Sequence, residues 1–157
     1  MKFQSIIKNL SLVTNVDAHC DIPCGIYDPI VAKIAAQTVL KMAVRLESVD
    51  FTGAPSSVDV PNSVARYIHV KEEHAQKVKE ELNIIWADYF KPEHLEKYPN
   101  LHELFWNANK LAGANKQSVN SDSAKKLVDA VDEIATIFWA TKGVDYADSV
   151  ADIRFGA

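Results

Sequence analysis

Three side chains that bind soft metal ions, His19, Cys20 and Cys24, lie within six consecutive residues near the start of the chain. A proline precedes Cys24 and a glycine follows it, so the backbone can bend sharply and bring both sulfur atoms to one point. Two thiolates and an imidazole suit zinc, copper or nickel, and three side-chain ligands would leave a tetrahedral zinc site incomplete. We interpret residues 19–27 as a metal-binding hook.

The two cysteines have other possible explanations. Cys20 and Cys24 could form a disulfide across a short loop, as an exported protein would allow, or could remain as two free structural thiols. Three residues separate them, so the thioredoxin-type redox motif, which has two, does not apply. Considered alone, these residues leave metal binding, a disulfide and free thiols open.

The composition excludes several classes of protein. The chain has 157 residues, enough for one domain with a core, and a net charge of −4. No stripe of lysine and arginine is present, so we predict no nucleic-acid partner. No apolar run approaches the roughly 18 residues that would span a membrane, so we predict no membrane partner.

Residues 1–18 differ from the rest of the chain. A secretory signal needs a continuous apolar stretch, whereas Lys8 interrupts this one, which favours a cytoplasmic protein. Val16 and Ala18 nevertheless fit the small-residue pattern before a cleavage point, so export is an alternative. The segment could also be a disordered tail, or a pro-segment that covers His19 until it is removed.

Apolar residues recur every three or four positions in four later stretches, which predicts four amphipathic helices. The predicted helices are about 30–49, 63–87, 99–111 and 122–141, and Asp28-Pro29 suits the start of the first. Lys71 alone interrupts the apolar stripe of the second helix, and Gly113 and Gly143 are expected to end the third and fourth. We therefore predict an all-α fold, an up-and-down four-helix bundle with an N-terminal metal-binding hook. The tail, residues 143–157, has no clear period, although Ile153 and Phe155 could dock.

The hook sequence His-Cys-Asp-Ile-Pro-Cys-Gly-Ile-Tyr resembles that of nickel-containing superoxide dismutases, in which His-Cys-x-x-Pro-Cys-Gly-x-Tyr opens the mature protein. Two later stretches agree, Trp-Ala-Asp-Tyr-Phe-Lys-Pro at residues 86–92 and Ile-Phe-Trp-Ala-Thr-Lys at residues 137–142. The resemblance covers residues 19–142 and implies a right-handed four-helix bundle that assembles into a homohexamer.

The resemblance also implies a nickel ion and its ligands. A maturation protease would cleave between Ala18 and His19 and so free the α-amino group of His19 as a ligand. The amide nitrogen of Cys20 and the thiolates of Cys20 and Cys24 would complete a square plane, with the His19 imidazole as an axial ligand in the oxidised state. The metal would alternate between the 2+ and 3+ states while superoxide is converted to oxygen and hydrogen peroxide.

Four more residues acquire expected roles from the family. Tyr27 and Tyr89 would line the anion pocket, Lys91 would supply positive charge at its mouth, and Asp21 would contribute its backbone N–H. The plainer alternatives are a core aromatic for Tyr89 and an ordinary solvated lysine for Lys91. The alternative for the whole chain is a non-catalytic nickel-, zinc- or copper-binding helical protein, or a helical oligomer whose hook cysteines form a structural disulfide.

The chain departs from the family at two positions. Some members have a glutamate and an arginine that orient the axial imidazole, and Ala35 and His74 occupy those positions here. Because a histidine ligand usually needs a partner on its other nitrogen, we hypothesise that Gln37, His74 or a backbone carbonyl takes that role.

Overall fold

The computed structural model describes residues 25–52 and 58–156, and every regular element within them is helical. The elements are α1 (Ile30–Glu47), α2 (Asp59–Ile84), a π-helical turn (Ile85–Tyr89), α3 (Pro92–Lys97), α4 (Leu101–Gln117), α5 (Ser121–Thr141) and α6 (Ala151–Phe155). None of the described helices combines the length and the apolar character needed to cross a membrane. The predicted all-α class is confirmed.

The four long helices form a closed ring in which each packs against two others. Helix α1 contacts α2 and α5, and α4 contacts the same two helices on the opposite side. Small residues line the core face of α1, which lets its neighbours approach closely, and larger residues of the other helices fill the centre. The fully buried alanines of α1 are Ala32, Ala36 and Ala43. The predicted four-helix bundle is therefore confirmed.

Two predicted helix boundaries are wrong, the start of α2 and the end of α4. Helix α2 begins at Asp59 because Pro61 lies in its first turn, where the backbone has no need of an N–H donor. Helix α4 continues through Gly113 to Gln117. A glycine in a helix interior costs about 1 kcal/mol relative to alanine, and the buried side chain of Asn115, which donates to the Leu111 carbonyl and to Ser123 Oγ, holds this last turn in place.

Lys71 is buried in spite of its charge, with 1% of its surface exposed. Its ammonium group donates to three carbonyl oxygens at the end of α4, those of Asn115, Lys116 at 3.2 Å and Ser118 at 3.0 Å. Burial lowers the pKa of Lys71. These carbonyls lie at the C-terminal end of α4, where the helix dipole favours a cation. Lys71, which interrupts the apolar stripe, is therefore a polar link between α2 and α4.

Candidate metal centre

The candidate ligands His19, Cys20 and Cys24, together with Asp21, lie outside the described residues. The described chain begins with Gly25, whose φ of +69° lies in the left-handed region that favours glycine. Two residues later, the ring of Tyr27 lies against the ring of Tyr89, with centroids 5.7 Å apart. The end of the hook therefore joins the bundle beside Tyr89.

Asp28 and Pro29 connect the hook to the bundle as the sequence predicts. The Asp28 carboxylate accepts a hydrogen bond of 2.8 Å from the Ile30 N–H, one of the amides at the start of α1 that has no partner within the helix. Pro29 is fully buried, and its carbonyl accepts from the Lys33 N–H at 3.0 Å. These contacts fix Tyr27 a short distance before the first turn of α1.

Tyr89 owes its position to the π-helical turn at the end of α2. The turn closes with the Phe90 N–H donating to the Ile85 carbonyl at 3.3 Å. The chain then becomes extended at Phe90 and Lys91, because the residue before Pro92 is sterically excluded from helical geometry. The prediction of a helix to residue 87 contained no π turn, and turns of this kind occur frequently at functional sites.

The Tyr89 hydroxyl lies 2.6 Å from Thr141 Oγ1, at the end of α5. Thr141 Oγ1 in turn lies 2.6 Å from the Phe138 carbonyl oxygen, to which it donates. Since a hydroxyl has only one proton to donate, Tyr89 is the donor to Thr141. The ring packs 4.4 Å from that of Phe138 and stacks on His94 at 5.7 Å. Tyr89 is thus a half-buried core aromatic that also carries a fixed hydroxyl.

Two lysines lie near Tyr89. Lys91 is exposed two residues further along the chain, and its backbone N–H donates to His94 Nδ1 at 3.1 Å. Lys142 Nζ lies 5.0 Å from the centre of the Tyr89 ring and 5.1 Å from that of Phe138. No role of Thr141 or Lys142 was predictable from the sequence, because both reach Tyr89 only through the packing of α5 on the end of α2.

The two residues at which the chain departs from the family, Ala35 and His74, have different surroundings. Ala35 is buried in the core. His74 Nδ1 lies 2.8 Å from the Val70 carbonyl oxygen, so Nδ1 carries the proton that it donates to that carbonyl. Both ends of the Gln37 amide are engaged, its nitrogen with the Ala151 carbonyl and its oxygen with Arg154. Gln37 is therefore a poorer candidate than His74 for an imidazole partner.

Residues 25–52 and 58–156 contain no group of three or more His, Cys, Asp or Glu side chains that could hold a metal ion. The donor set of the hook, two thiols and an imidazole, has the chemistry that nickel requires, since soft thiolates and imidazole both bind it. The candidate metal ligands remain those of the hook.

Comparisons with known proteins identify the family of this chain. The model of a family described as nickel-containing superoxide dismutase matches residues 14–142. Nickel superoxide dismutases from Streptomyces coelicolor and Streptomyces seoulensis are each 38% identical to this chain over 127 residues, which are 81% of this chain and 90% of the relative. A native nickel superoxide dismutase structure superposes with a TM-score of 0.69 at 37% identity, over 79% of this chain and 99% of that one. A nickel-containing superoxide dismutase structure with its nickel ligation in the oxidised state superposes with a TM-score of 0.70 at 36% identity, over 80% of this chain and 100% of that one. The chain belongs to the family of nickel-containing superoxide dismutases.

Proposed function

We propose that this chain is a nickel-dependent superoxide dismutase, which converts two superoxide anions and two protons into one molecule of oxygen and one of hydrogen peroxide. The observation that carries the proposal is the family match over residues 14–142, which includes the whole hook. His19, Cys20 and Cys24 are the proposed ligands. When bound, nickel supplies one-electron chemistry, because electron-rich thiolate and amidate donors make its 2+ and 3+ states both accessible.

The proposed ligand set requires a processed chain. With residues 1–18 attached, His19 has no free α-amino group, so one donor does not exist until a maturation protease cleaves between Ala18 and His19. We accordingly divide the chain into a pro-segment (1–18), the enzyme domain (19–142, with the hook at 19–27) and a tail (143–157). Mass spectrometry of the active protein tests this division, since a chain that still begins at Met1 would contradict it.

Tyr27 and Tyr89 are proposed to hold water or substrate beside the hook. Their rings lie side by side, and the Tyr89 proton is directed to Thr141, so the Tyr89 oxygen retains lone pairs that can accept a hydrogen bond. A fixed acceptor at this place can orient a water molecule that delivers protons to the peroxide product. Asp21 is proposed to contribute its backbone N–H from within the hook.

Lys91 and Lys142 are proposed to attract the substrate. Superoxide is an anion, whereas the chain carries a net charge of −4, so its overall field repels the substrate. Lys142 lies beside the Tyr89 ring and Lys91 follows two residues later, which puts two positive charges close to where the hook joins the bundle. Local cations of this kind raise the rate of encounter, and their effect weakens as salt is added.

The assembly and the cellular compartment are also proposals. The family resemblance supports a homohexamer, and exposed apolar side chains such as Phe51, Val58 and Trp106 could be covered by neighbouring subunits. The interruption of the N-terminal apolar stretch by Lys8 supports a cytoplasmic enzyme. Light scattering of the processed protein measures the number of subunits directly.

The test is superoxide consumption by the processed, nickel-loaded protein, compared with Cys20→Ser and Cys24→Ser. We expect both substitutions to abolish turnover while the helical circular dichroism of the bundle is retained. Activity that survives both substitutions would contradict the proposed ligands. The second candidate function, a metal carrier that uses the same hook, predicts nickel binding that is lost with the cysteines but no superoxide consumption by the unaltered protein.

A further inference from the structure

The tail lies outside the part of the chain that matches the family, which ends at residue 142. This segment leaves α5 at Gly143 and folds back onto α1. Ile153 and Phe155 are the tail residues that the sequence suggests could dock. Phe155 does so beneath Lys41, whereas Ile153 is 79% exposed.

Three side chains of α1 bind the tail, and they recur at four-residue spacing on one face of the helix. Lys33 Nζ lies 3.4 Å from a carboxylate oxygen of Asp148. The Gln37 side chain donates to the Ala151 carbonyl at 3.2 Å. Lys41 donates to the Phe155 carbonyl at 3.0 Å and lies 4.7 Å from the centre of its ring. Three positions on one face of α1 therefore contact residues beyond the shared family fold.

Arg154 closes the tail on itself and joins it to α1. Its guanidinium group donates to both oxygens of the Asp148 carboxylate, at 2.9 and 3.1 Å, and also to the Gln37 side-chain oxygen at 3.1 Å. Asp148 is largely buried, with 10% of its side chain exposed. A bidentate pair between an arginine and a buried carboxylate is among the stronger polar contacts in proteins.

Lys33 joins the tail, α1 and α5 at one point. Its side chain is 2% exposed and forms an ion pair with Asp132 of α5 in addition to its contact with Asp148. Its ammonium group also lies 5.3 Å from the ring of Tyr146, which stacks on Trp139 of α5 at 6.1 Å. Lys33 is in the first turn of α1, immediately after the segment that comes from the hook.

We propose that residues 144–156 form a strap that holds the N-terminal part of α1 against α5 and so positions the end of the hook beside Tyr89. The link to the hook rests on the proposed function, whereas the restraint of α1 does not. Because Tyr27 lies just before the first turn of α1, a shift of that turn moves Tyr27 relative to the π turn. Arg154 and Lys33 act as positioning residues, since they hold α1 and do not touch the reacting atoms.

The first experiment is hydrogen exchange on the metal-free protein. We compare the full chain with Arg154→Ala and with a chain that ends at Gly143. Lys126→Ala is the matched control, because it removes an exposed cation from α5 without removing a contact of the strap. The strap predicts exchange about tenfold faster at residues 30–41 in both strap variants, with no change in α4 or in the control. If α1 exchanged at the same rate with and without the strap, the proposal would be overturned.

The second experiment measures the paramagnetic resonance signal of oxidised nickel in the processed, nickel-loaded proteins. We expect an altered signal in Arg154→Ala and an unaltered one in Lys126→Ala. Faster exchange at α1 together with an unaltered nickel signal would overturn the link to the hook. If the processed protein with its tail intact gave no nickel signal, both the proposed function and the link to the hook would be refuted. The exchange result would still decide whether the strap restrains α1.

Discussion

The hydrogen bond between Tyr89 and Thr141 predicts that Thr141→Val alters both stability and turnover. Valine has nearly the shape of threonine, so the substitution removes the hydroxyl with little change in packing. Two hydrogen bonds of 2.6 Å disappear, one donated by Tyr89 and one donated to the Phe138 carbonyl. The Tyr89 hydroxyl, half-buried among aromatic rings, loses the partner that fixes its direction.

The expected size of the effect follows from these two bonds. A hydrogen bond between uncharged groups contributes about 0.5–1.5 kcal/mol net, so the loss of two in Thr141→Val should lower the free energy of unfolding by about 1–3 kcal/mol. Tyr89→Phe removes only one of the bonds and should cost about 1 kcal/mol. Because the two side chains share that bond, the double variant should be more stable than the sum predicts, by about 1 kcal/mol.

The assay is a double-mutant cycle by urea unfolding of the metal-free protein, followed by superoxide consumption of the processed, nickel-loaded variants. Loss of about 1 kcal/mol of positioning free energy corresponds to a roughly fivefold lower kcat/KM. Thr136→Val is the matched control, since this threonine lies on the same helix and donates to the Asp132 carbonyl in an exposed position. It should change stability by less than about 0.5 kcal/mol and leave turnover unchanged.

Additive effects of the two substitutions on stability would contradict the predicted coupling between Tyr89 and Thr141. If the stability losses of Thr141→Val and Tyr89→Phe summed within the error of the cycle, the two hydroxyls would not depend on each other in solution. If the cycle showed coupling but Thr141→Val had full activity, the direction of the Tyr89 hydroxyl would be irrelevant to catalysis.

Three further predictions concern charged groups. Lys71→Met should lower the free energy of unfolding by about 2–4 kcal/mol in urea, because three carbonyls at the end of α4 lose a charged donor. Lys91→Ala and Lys142→Ala should each lower kcat/KM and weaken its dependence on ionic strength. The hydrogen bond from Arg154 lowers the pKa of Asp148 in the folded state. The ionised Asp148 side chain therefore contributes fully to folding stability above the ordinary aspartate pKa of about 3.9, and this contribution is lost as the pH falls through the folded-state pKa. Asp148→Asn should therefore flatten the acid side of the curve of unfolding midpoint against pH.

Each of these predictions has a matched control. Lys77→Met removes a lysine on α2 that pairs with Glu81 at the surface, and it should leave stability nearly unchanged. Lys110→Ala removes an exposed cation beside Trp106, on α4, and should leave the salt dependence of turnover as it was. Asp129→Asn should leave the acid stability curve unaltered. A control as damaging as its partner would contradict the structural reason given for that prediction.

The fold was predictable from the sequence because helix periodicity and helix starts are local signals. Asp28 and Pro29 begin α1 as predicted, and Gly143 ends α5 with a φ of +74°. Gly113 misled the prediction because its local preference to end a helix was outweighed by the burial of Asn115, which no local pattern reveals. Lys71 was visible as an interruption, but its partners lie more than forty residues away.

The site was predictable only in part. The hook and Tyr89 could be assigned by family resemblance, because their motifs are compact in sequence. Thr141 and Lys142 were missed, since each meets Tyr89 across more than fifty residues of chain. The sequence suggested that Ile153 and Phe155 could dock, but it did not reveal where. Lys33, Gln37 and Lys41 look like ordinary polar positions of α1 until the tail is placed against them.

The π turn changes the direction of the side chains that follow it, relative to those of an uninterrupted α2. Each residue of an α-helix advances the direction of its side chain by about 100°, so in a continuous helix the directions of Leu82 and Tyr89 would be rigidly related. One extra residue within the turn resets that angle. Leu82 can therefore remain in phase with the core while Tyr89 faces Tyr27 and Thr141. Substitutions that repack the centre of the bundle and those that redirect Tyr89 can accordingly accumulate independently in one helix.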